Sequence, residues 1–186
     1  RISNPTVNVF ENKIAALECG VGAVAVASGQ AATTMAILNI CSCGDNIVAT
    51  STLYGGTHTL LSSTLAKIGI TTHFVDPEAP IEELNKAVDE NTKAVFAETI
   101  GNPGMNILDI EKFADFAHQN KIPLIIDNTI ATPYLCRPFD FGADIIVHSA
   151  TKYIDGQASC VGGVVVDSGN FDWNKSGKFP CLTEPD

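Results

Sequence analysis

Seven short apolar runs, rich in β-branched residues and separated by helical stretches, limit the fold of this chain more than any other feature. Such alternation is typical of an α/β sheet. Several runs are apolar at every position, which favours a mostly parallel sheet with helices on both faces. The predicted strands are residues 24–27, 47–50, 72–75, 94–97, 124–126, 144–147 and 163–166, and the predicted helices are residues 30–41, 57–67, 81–91 and 110–120.

The length and charge of the chain exclude several classes of protein. Its 186 residues can bury a substantial core, and its net charge of −10 makes nucleic acid and anionic membranes poor partners. No apolar run is long enough to cross a bilayer and the first residues do not resemble a signal peptide, so we expect a cytoplasmic protein. The six cysteines lack the spacing of a zinc site; we expect no metal, and reduced, mostly buried thiols.

Polar and small residues follow five of the predicted strands. Ligands of such sheets bind at the carboxyl ends of the strands, so these residues are expected to form one site. They are residues 28–30, 51–54, 98–102, 127–129 and 148–152.

The first of these segments, Ser28-Gly29-Gln30, follows a strand and opens a predicted helix. The backbone N–H groups of a helix N-terminus attract anions and Gly29 permits close approach, so the segment could hold a phosphate. An ordinary turn with Ser28 as the helix N-cap explains the same residues. The segment is not a Walker loop, because no Gly-Lys-Ser/Thr sequence follows it.

Asp127 ends a buried apolar run, which places a carboxylate at the tip of a strand. A buried carboxylate needs a cationic or hydrogen-bonding partner, because an unpaired buried charge is costly. The protonated ring nitrogen of pyridoxal phosphate is one such partner. A helix N-cap and a metal ligand are alternatives that Asp127 alone does not separate.

Lys152 also follows a strand and has Ser149 and Thr151 beside it. A lysine in such a cleft can act as a nucleophile towards a carbonyl group. The two hydroxyl groups could hold phosphate oxygens. An isolated lysine after a strand is more often simply solvated, but its combination with Asp127 favours a pyridoxal phosphate site.

Tyr54 follows the second predicted strand, where its ring could stack on a flat cofactor and its phenol could move a proton. Asn102 could donate a hydrogen bond to the phenolic oxygen of the same cofactor ring. A capped turn and a half-buried aromatic side chain are the alternatives for these two residues. His148 and His58 are interpreted as structural residues.

In their order along the chain, these elements resemble the Cys/Met-metabolism family of pyridoxal phosphate enzymes, which share the aspartate-aminotransferase-like fold (fold type I). The resemblance implies that Lys152 forms a Schiff base with the cofactor and that Asp127 pairs with its pyridinium nitrogen, with Thr129 in the same motif. It also implies that Arg1 reaches the cofactor phosphate of a neighbouring subunit, so a homo-oligomer is expected. The matching segments are residues 1–6, 28–32, 54–57, 127–129 and 149–152.

Within the family, residues 98–103 and 179–186 look most like the O-acetylhomoserine sulfhydrylases. These enzymes replace the acetoxy group of O-acetyl-L-homoserine with sulfide or methanethiol, giving homocysteine or methionine plus acetate. A γ-elimination of the cystathionine or methionine lyase type is the alternative, although Gly56 stands where methionine γ-lyases carry a cysteine. Asp155 and Gln157 stand where many relatives have glycine and histidine, a departure that bears on the choice of substrate and not on the cofactor.

The resemblance also bears on domain organisation. It implies that residues 1–186 form the central part of the cofactor-binding large domain, without the N-terminal segment and the C-terminal substrate domain. In the family the C-terminal domain supplies the arginine that binds the substrate carboxylate. A cofactor-binding fragment without turnover is therefore a third hypothesis.

Overall fold

The computed structural model describes residues 4–185, in which seven strands form one sheet with helices packed on it. This confirms the predicted α/β class, and a strand lies at each predicted position. The order across the sheet is β1-β7-β6-β5-β4-β2-β3. The strands are β1 (Gly22–Val26), β2 (Asn46–Thr50), β3 (Thr71–Val75), β4 (Thr92–Glu98), β5 (Leu124–Asp127), β6 (Ile145–His148) and β7 (Gly163–Asp167).

Five adjacent strands, from β3 through β2, β4 and β5 to β6, are parallel. β7 runs antiparallel to both β6 and β1, so the sheet is mixed at one side. Glu98 and Asp127, the last residues of β4 and β5, pair with each other, and Asp127 also pairs with Val147, one residue before the end of β6. The carboxyl ends of the parallel strands therefore meet along one edge, as the sequence predicted.

The helices are α1 (Pro5–Glu18), α2 (Gly29–Leu38), α3 (Gly55–Thr59), α4 (Ile81–Leu84), α5 (Ile110–Gln119), α6 (Thr132–Leu135), α7 (Trp173–Ser176) and α8 (Pro180–Thr183). The sequence analysis missed α1. Its start is nevertheless clear in physical terms, because Asn4 Oδ1 accepts hydrogen bonds from the amides of Thr6 and Val7 and Pro5 occupies the first turn.

Two predicted helices differ from the observed structure. The segment predicted as one helix at residues 57–67 is α3 followed by a π turn (Leu60–Thr64) and a 3₁₀ turn (Leu65–Ile68). The helix predicted at residues 81–91 is only α4 and a 3₁₀ turn (Asn85–Ala87). It stops early because the Asp89 side chain accepts from Asn91 N and Asn46 Nδ2, which draws the chain into a turn before β4.

The core lies on both faces of the central strands. Alternate residues of β4 face opposite layers: Phe96 packs with Ile37 and Leu61, and Val95 packs with Phe113 and other side chains of α5. Burying one such side chain stabilises the fold by about 1.5–3 kcal/mol. The outer strand β1 is only partly covered, so burial on both faces holds for the central strands alone.

The cysteines and helices qualify two further predictions. All six cysteines are free thiols, but only Cys41 is buried and four are exposed, so the expectation of mostly buried thiols is wrong. The exposed thiols lie outside the sheet, three of them in turns, caps and loops and that of Cys181 in the short helix α8. In the part of the chain that the structure describes, no helix has the length and apolar character needed to cross a membrane.

Candidate active site

The turn at the N-terminus of α2 lies at the carboxyl edge of the sheet. Ser28 Oγ accepts a hydrogen bond from Ala31 N at 3.1 Å, so Ser28 is the helix N-cap. Gly29 and Gln30 are the first two residues of the helix, and geometry leaves their N–H groups without an acceptor inside it. The N-cap interpretation is confirmed, and phosphate binding stays a prediction that is compatible with it, because the cap leaves the amides of Gly29 and Gln30 without an acceptor in the helix.

Two glycines allow this turn to lie close to its neighbours. A Cβ atom on Gly29 would lie 2.6 Å from Ser149 Cβ, and a Cβ atom on Gly163 would lie 2.1 Å from Ser28 O. Any larger residue would push the turn away from β7 and from the loop after β6. Sequence reasoning gave Gly163 no role, although a glycine pair directly before a strand is a usable signal of close backbone approach.

Asp127 lies at the end of β5 and is half-buried. Its Oδ1 accepts from Thr129 N at 2.9 Å and from Thr129 Oγ1 at 2.5 Å. Its Oδ2 makes no hydrogen bond to any residue from 4 to 185. Burial raises the pKa of Asp127, while the bonds from Thr129 and the proximity of His148 act in the opposite direction. One carboxyl oxygen therefore remains available for a cationic N–H partner.

Thr129 joins the ends of two strands. Its hydroxyl donates to Asp127 and accepts from Ser149 N at 2.8 Å. This bond fixes Ser149 relative to Asp127, and Ser149 in turn touches Gly29. The predicted carboxylate and the predicted phosphate turn are thus brought together.

Tyr54 reaches the same edge from the start of α3. Its ring lies against Gly56, where a Cβ atom would come within 2.5 Å of Tyr54 Cε1, and the side chain is 53% exposed. Its backbone N–H donates to Glu98 Oε1 at 2.7 Å. Gln30 Nε2 donates to Thr57 Oγ1 at 3.2 Å, which links α2 to α3. The Tyr54 ring is consequently held at the surface of the site.

Lys152 is exposed, and its Nζ has no hydrogen-bond partner among the described residues. Thr151 already has hydrogen-bond partners within the protein. Its hydroxyl donates to Gly162 O and accepts from Gly162 N, both at 3.1 Å. A contact between Thr151 and a phosphate oxygen would require the bond to Gly162 O to be exchanged, whereas Ser149 Oγ is free of bonds within residues 4–185.

The two remaining predicted residues are less well defined. Asn102 is exposed, in the turn after β4 that is closed by bonds from Gly101 N to Asn106 O and from Met105 N to Gly101 O. Arg1 lies outside the described residues.

A buried polar network that sequence reasoning missed lies behind Asp127. His148 Nε2 and Glu18 Oε1 are 2.5 Å apart, and both side chains are fully buried. Asn128 Nδ2 donates to the same Glu18 oxygen at 3.0 Å, and Thr99 Oγ1 donates to Asn128 Oδ1 at 2.8 Å. The network attaches the end of α1 to the ends of three strands. Nothing in the local sequence distinguishes Glu18 from a solvated helix residue.

The metal-ligand alternative for Asp127 lacks further ligands. Between residues 4 and 185, no group of three or more His, Cys, Asp or Glu side chains is placed to hold a metal ion. The helix N-cap alternative also lacks support, because Asp127 accepts from Thr129 in a turn and α6 begins only at Thr132.

Similarity to known proteins shows the family of this chain. A family model described as Cys/Met metabolism PLP-dependent enzyme matches residues 1–182. The chain belongs to this family. Curated relatives include the homocysteine synthase of Schizosaccharomyces pombe, 52% identical over 187 aligned residues, and the O-acetyl-L-homoserine sulfhydrylase of Corynebacterium glutamicum, 53% identical over 190. Each alignment covers 100% of this chain but only 43% and 44% of those relatives, respectively.

A solved structure supports the same family assignment. An O-acetylhomoserine (thiol)-lyase from Campylobacter jejuni superposes with a TM-score of 0.93 at 40% identity, over 96% of this chain and 45% of that one. That protein contains N'-pyridoxyl-lysine-5'-monophosphate. The predicted aspartate-aminotransferase-like fold and the predicted dependence of the family on pyridoxal phosphate are thereby confirmed.

Proposed function

We propose that this chain is the cofactor-binding part of an enzyme that converts O-acetyl-L-homoserine and sulfide or methanethiol into homocysteine or methionine plus acetate. The observation that carries the proposal is identity of 50% or more along the whole chain to homocysteine synthases and O-acetyl-L-homoserine sulfhydrylases. The γ-lyase alternative has no comparable support among these relatives.

The residues at the carboxyl edge fit pyridoxal phosphate. The free amides of Gly29 and Gln30, with Ser149 beside them, suit its phosphate. The free oxygen of Asp127 suits its ring nitrogen, and the exposed amine of Lys152 suits its aldehyde. When bound, the cofactor supplies an electron-withdrawing ring that stabilises negative charge at the substrate α-carbon.

The side chains of the chain itself would then have separate tasks. Lys152 would anchor the cofactor and, once released, move a proton at its Nζ. Asp127 would hold the ring nitrogen in its protonated state. Tyr54 would cover the ring face and handle a proton near the leaving group, and Asn102 would donate to the phenolic oxygen. Thr129 would act by orienting Asp127.

Ser28 and Thr151 would contribute mainly through the backbone segments that they fix. Ser28 caps α2. The hydroxyl group of Thr151 bonds to Gly162 and so fixes the turn that contains Lys152. Their hydroxyl groups would reach the phosphate only by exchanging or adding bonds.

The remaining parts of the proposal concern the whole protein. Because the chain spans 43–44% of these relatives, we place residues 1–186 in the middle of the cofactor-binding domain of a longer enzyme with a separate substrate domain. Arg1 would bind the cofactor phosphate of a neighbouring subunit in a homo-oligomer. The small-molecule substrates and the acidic composition suit a cytoplasmic location.

The cofactor assignment is tested by reducing the cofactor-loaded protein with borohydride and mapping the modified peptide by mass spectrometry. We expect a phosphopyridoxyl group on Lys152, absent from Lys152→Ala and retained in Lys175→Ala, a change of an exposed lysine in α7. Labelling of a different lysine would overturn the assignment. So would the absence of any label in the full-length enzyme, once that enzyme is shown to be folded.

The reaction is tested in a separate, unreduced sample of the cofactor-loaded whole enzyme with O-acetyl-L-homoserine and sulfide. Homocysteine and acetate should appear in equal amounts, and only when sulfide is present. Production of 2-oxobutanoate and ammonia without a thiol would instead establish the γ-elimination. Cofactor labelling with neither set of products would establish binding without turnover.

A further inference from the structure

Glu98 is a second carboxyl group at the carboxyl edge, and none of the tasks above uses it. It is the last residue of β4 and pairs in register with Asp127 at the end of β5. Its side chain is 6% exposed. Acidic residues are seldom buried unless a partner compensates the cost, so Glu98 needs a physical explanation.

The contacts of Glu98 lead to two segments that carry proposed cofactor residues. Its Oε1 accepts from Tyr54 N at 2.7 Å across 44 residues of sequence. The backbone amide of Asn102 acts on the same carboxyl group and lowers its pKa, more weakly than the amide of Tyr54 does. A single side chain on a central strand therefore links the start of α3 to the turn after β4.

We propose that Glu98 is a positioning residue for the cofactor site, which holds the backbone of Tyr54 so that the tyrosine ring stays against Gly56 at the ring-binding surface. This inference rests on the proposed function for the identity of the cofactor. Tyr54 is half exposed, so burial does little to fix its ring and the backbone anchor determines where it lies.

The charge state of Glu98 suits this task. Burial, with a smaller contribution from Asp127, raises the pKa of Glu98 to about 8, against the bonds from Tyr54 and Asn102. Asp127 is the charged group that acts on it from β5; from α3 and from the turn after β4, backbone amides face it. Glu98 is thus mainly neutral at pH 7.

Neutral Glu98 can be imitated by glutamine, which supplies the same acceptor and never ionises. Glu98→Gln should keep the cofactor dissociation constant within about twofold of the wild type at pH 7. Glu98→Ala should weaken cofactor binding about tenfold and alter the circular dichroism of the bound cofactor, because the Tyr54 segment loses its anchor. As the pH rises through about 8, the dichroism of the wild type should change and that of Glu98→Gln should not.

A matched control is available in α1. Glu11 Oε1 also accepts a backbone N–H from a distant segment, that of Ala25 at 2.8 Å, and its side chain is half-buried. Glu11→Ala should leave both the dissociation constant and the dichroism of the cofactor unchanged. A response equal to that of Glu98→Ala would show a general effect of losing such a bond and would overturn the proposal.

A measurement without cofactor separates this inference from the proposed function. Amide hydrogen exchange of the cofactor-free protein should show loss of protection at Tyr54 in Glu98→Ala, full protection in Glu98→Gln and no change there in Glu11→Ala. Unchanged protection at Tyr54 in Glu98→Ala, or loss in Glu98→Gln, would overturn the inference even if the enzyme proves active. If Glu98→Ala does not fold, the circular dichroism of the bound cofactor in Glu98→Gln and in the wild type is compared as the pH rises through about 8. The same pH response in both proteins would overturn the inference. Failure of the wild type to bind pyridoxal phosphate would instead count against the proposed function.

Discussion

The polar side chains compared at the two ends of the parallel strands differ in whether they have hydrogen-bond partners. At the amino end, buried Asp144 Oδ2 accepts from Leu124 N at 2.8 Å and lies 2.9 Å from His118 Nε2. Asn46, Asp89 and Thr92 bond to one another at the same end. At the carboxyl end, Asp127 Oδ2 and Lys152 Nζ are without partners in residues 4–185. Paired groups stabilise the fold, whereas unpaired groups are available to bind a ligand.

The two ends also differ in the direction in which the protein shifts the pKa values of their carboxyl groups. Burial raises the pKa values of both Glu98 and Asp127, so the folded protein disfavours their charged forms. At the amino end, the pKa of Asp89 is lowered, chiefly by the hydrogen bond from Asn46. The carboxyl end thus holds two carboxyl groups at a cost in stability, and we expect substitutions at the two ends to separate stability from activity.

Glu18→Ala should have the largest effect on stability. Glu18 lies at the carboxyl end but is a paired, stabilising group, so the contrast between the two ends does not extend to it. Removing it leaves His148 and Asn128 buried without their shared acceptor. We expect a loss of about 3–5 kcal/mol in the free energy of unfolding, measured with denaturant. A loss below about 1 kcal/mol would mean that the network adds little to stability.

Asp127→Asn should sharpen the contrast. We expect kcat/KM to fall by about 10²–10³-fold, since the partner of the ring nitrogen loses its charge. The cofactor-free protein should become more stable relative to the wild type as the pH rises. The raised pKa of Asp127 means that its contribution is fully present below the unfolded-state value and is lost as the pH rises through the folded-state value.

Thermal unfolding without cofactor at pH 5 and pH 8, beside steady-state kinetics, measures both consequences of Asp127→Asn. Lower stability of the variant at both pH values would contradict the view that Asp127 is held at a cost.

Asp144→Ala should show the opposite pattern at the amino end. It removes the acceptor of Leu124 N and the partner of His118, for a loss of about 1–3 kcal/mol in stability. The dissociation constant of pyridoxal phosphate should stay unchanged. Asp144→Asn, which retains one acceptor, should fall between the alanine variant and the wild type. Weaker cofactor binding in a folded Asp144→Ala protein would break the contrast.

His118→Gln should have the smallest effect, visible as a pH dependence. The hydrogen bond to Asp144 raises the pKa of His118, so the pair contributes stability below the ordinary histidine pKa of 6.5. That contribution is lost as the pH rises through the raised value. Thermal unfolding between pH 6 and pH 9 should therefore show a steeper decline for the wild type than for His118→Gln. Parallel curves would show that the exposed part of His118 is fully screened.

The sequence alone predicted much of the fold and several elements of the site. The central strands were recognised because buried parallel strands are continuous apolar runs, and the outer strands were recognised from their content of β-branched residues. The residues after them were recognised as one site because parallel strands end at a common edge. Helix α1 and the end of α4 were missed, since the first depends on a cap at Asn4 and the second on a turn that Asp89 makes with distant Asn46.

The sequence by itself determined the layered α/β architecture and, through ordered motifs, the family, because both depend on residue types and local spacing. Only the tertiary structure decided which polar groups are free. It bound the Thr151 hydroxyl to Gly162, left one oxygen of Asp127 open and placed Glu98 between Tyr54 and Asn102. These outcomes depend on contacts between residues far apart in sequence, which set burial, hydrogen bonding and charge together.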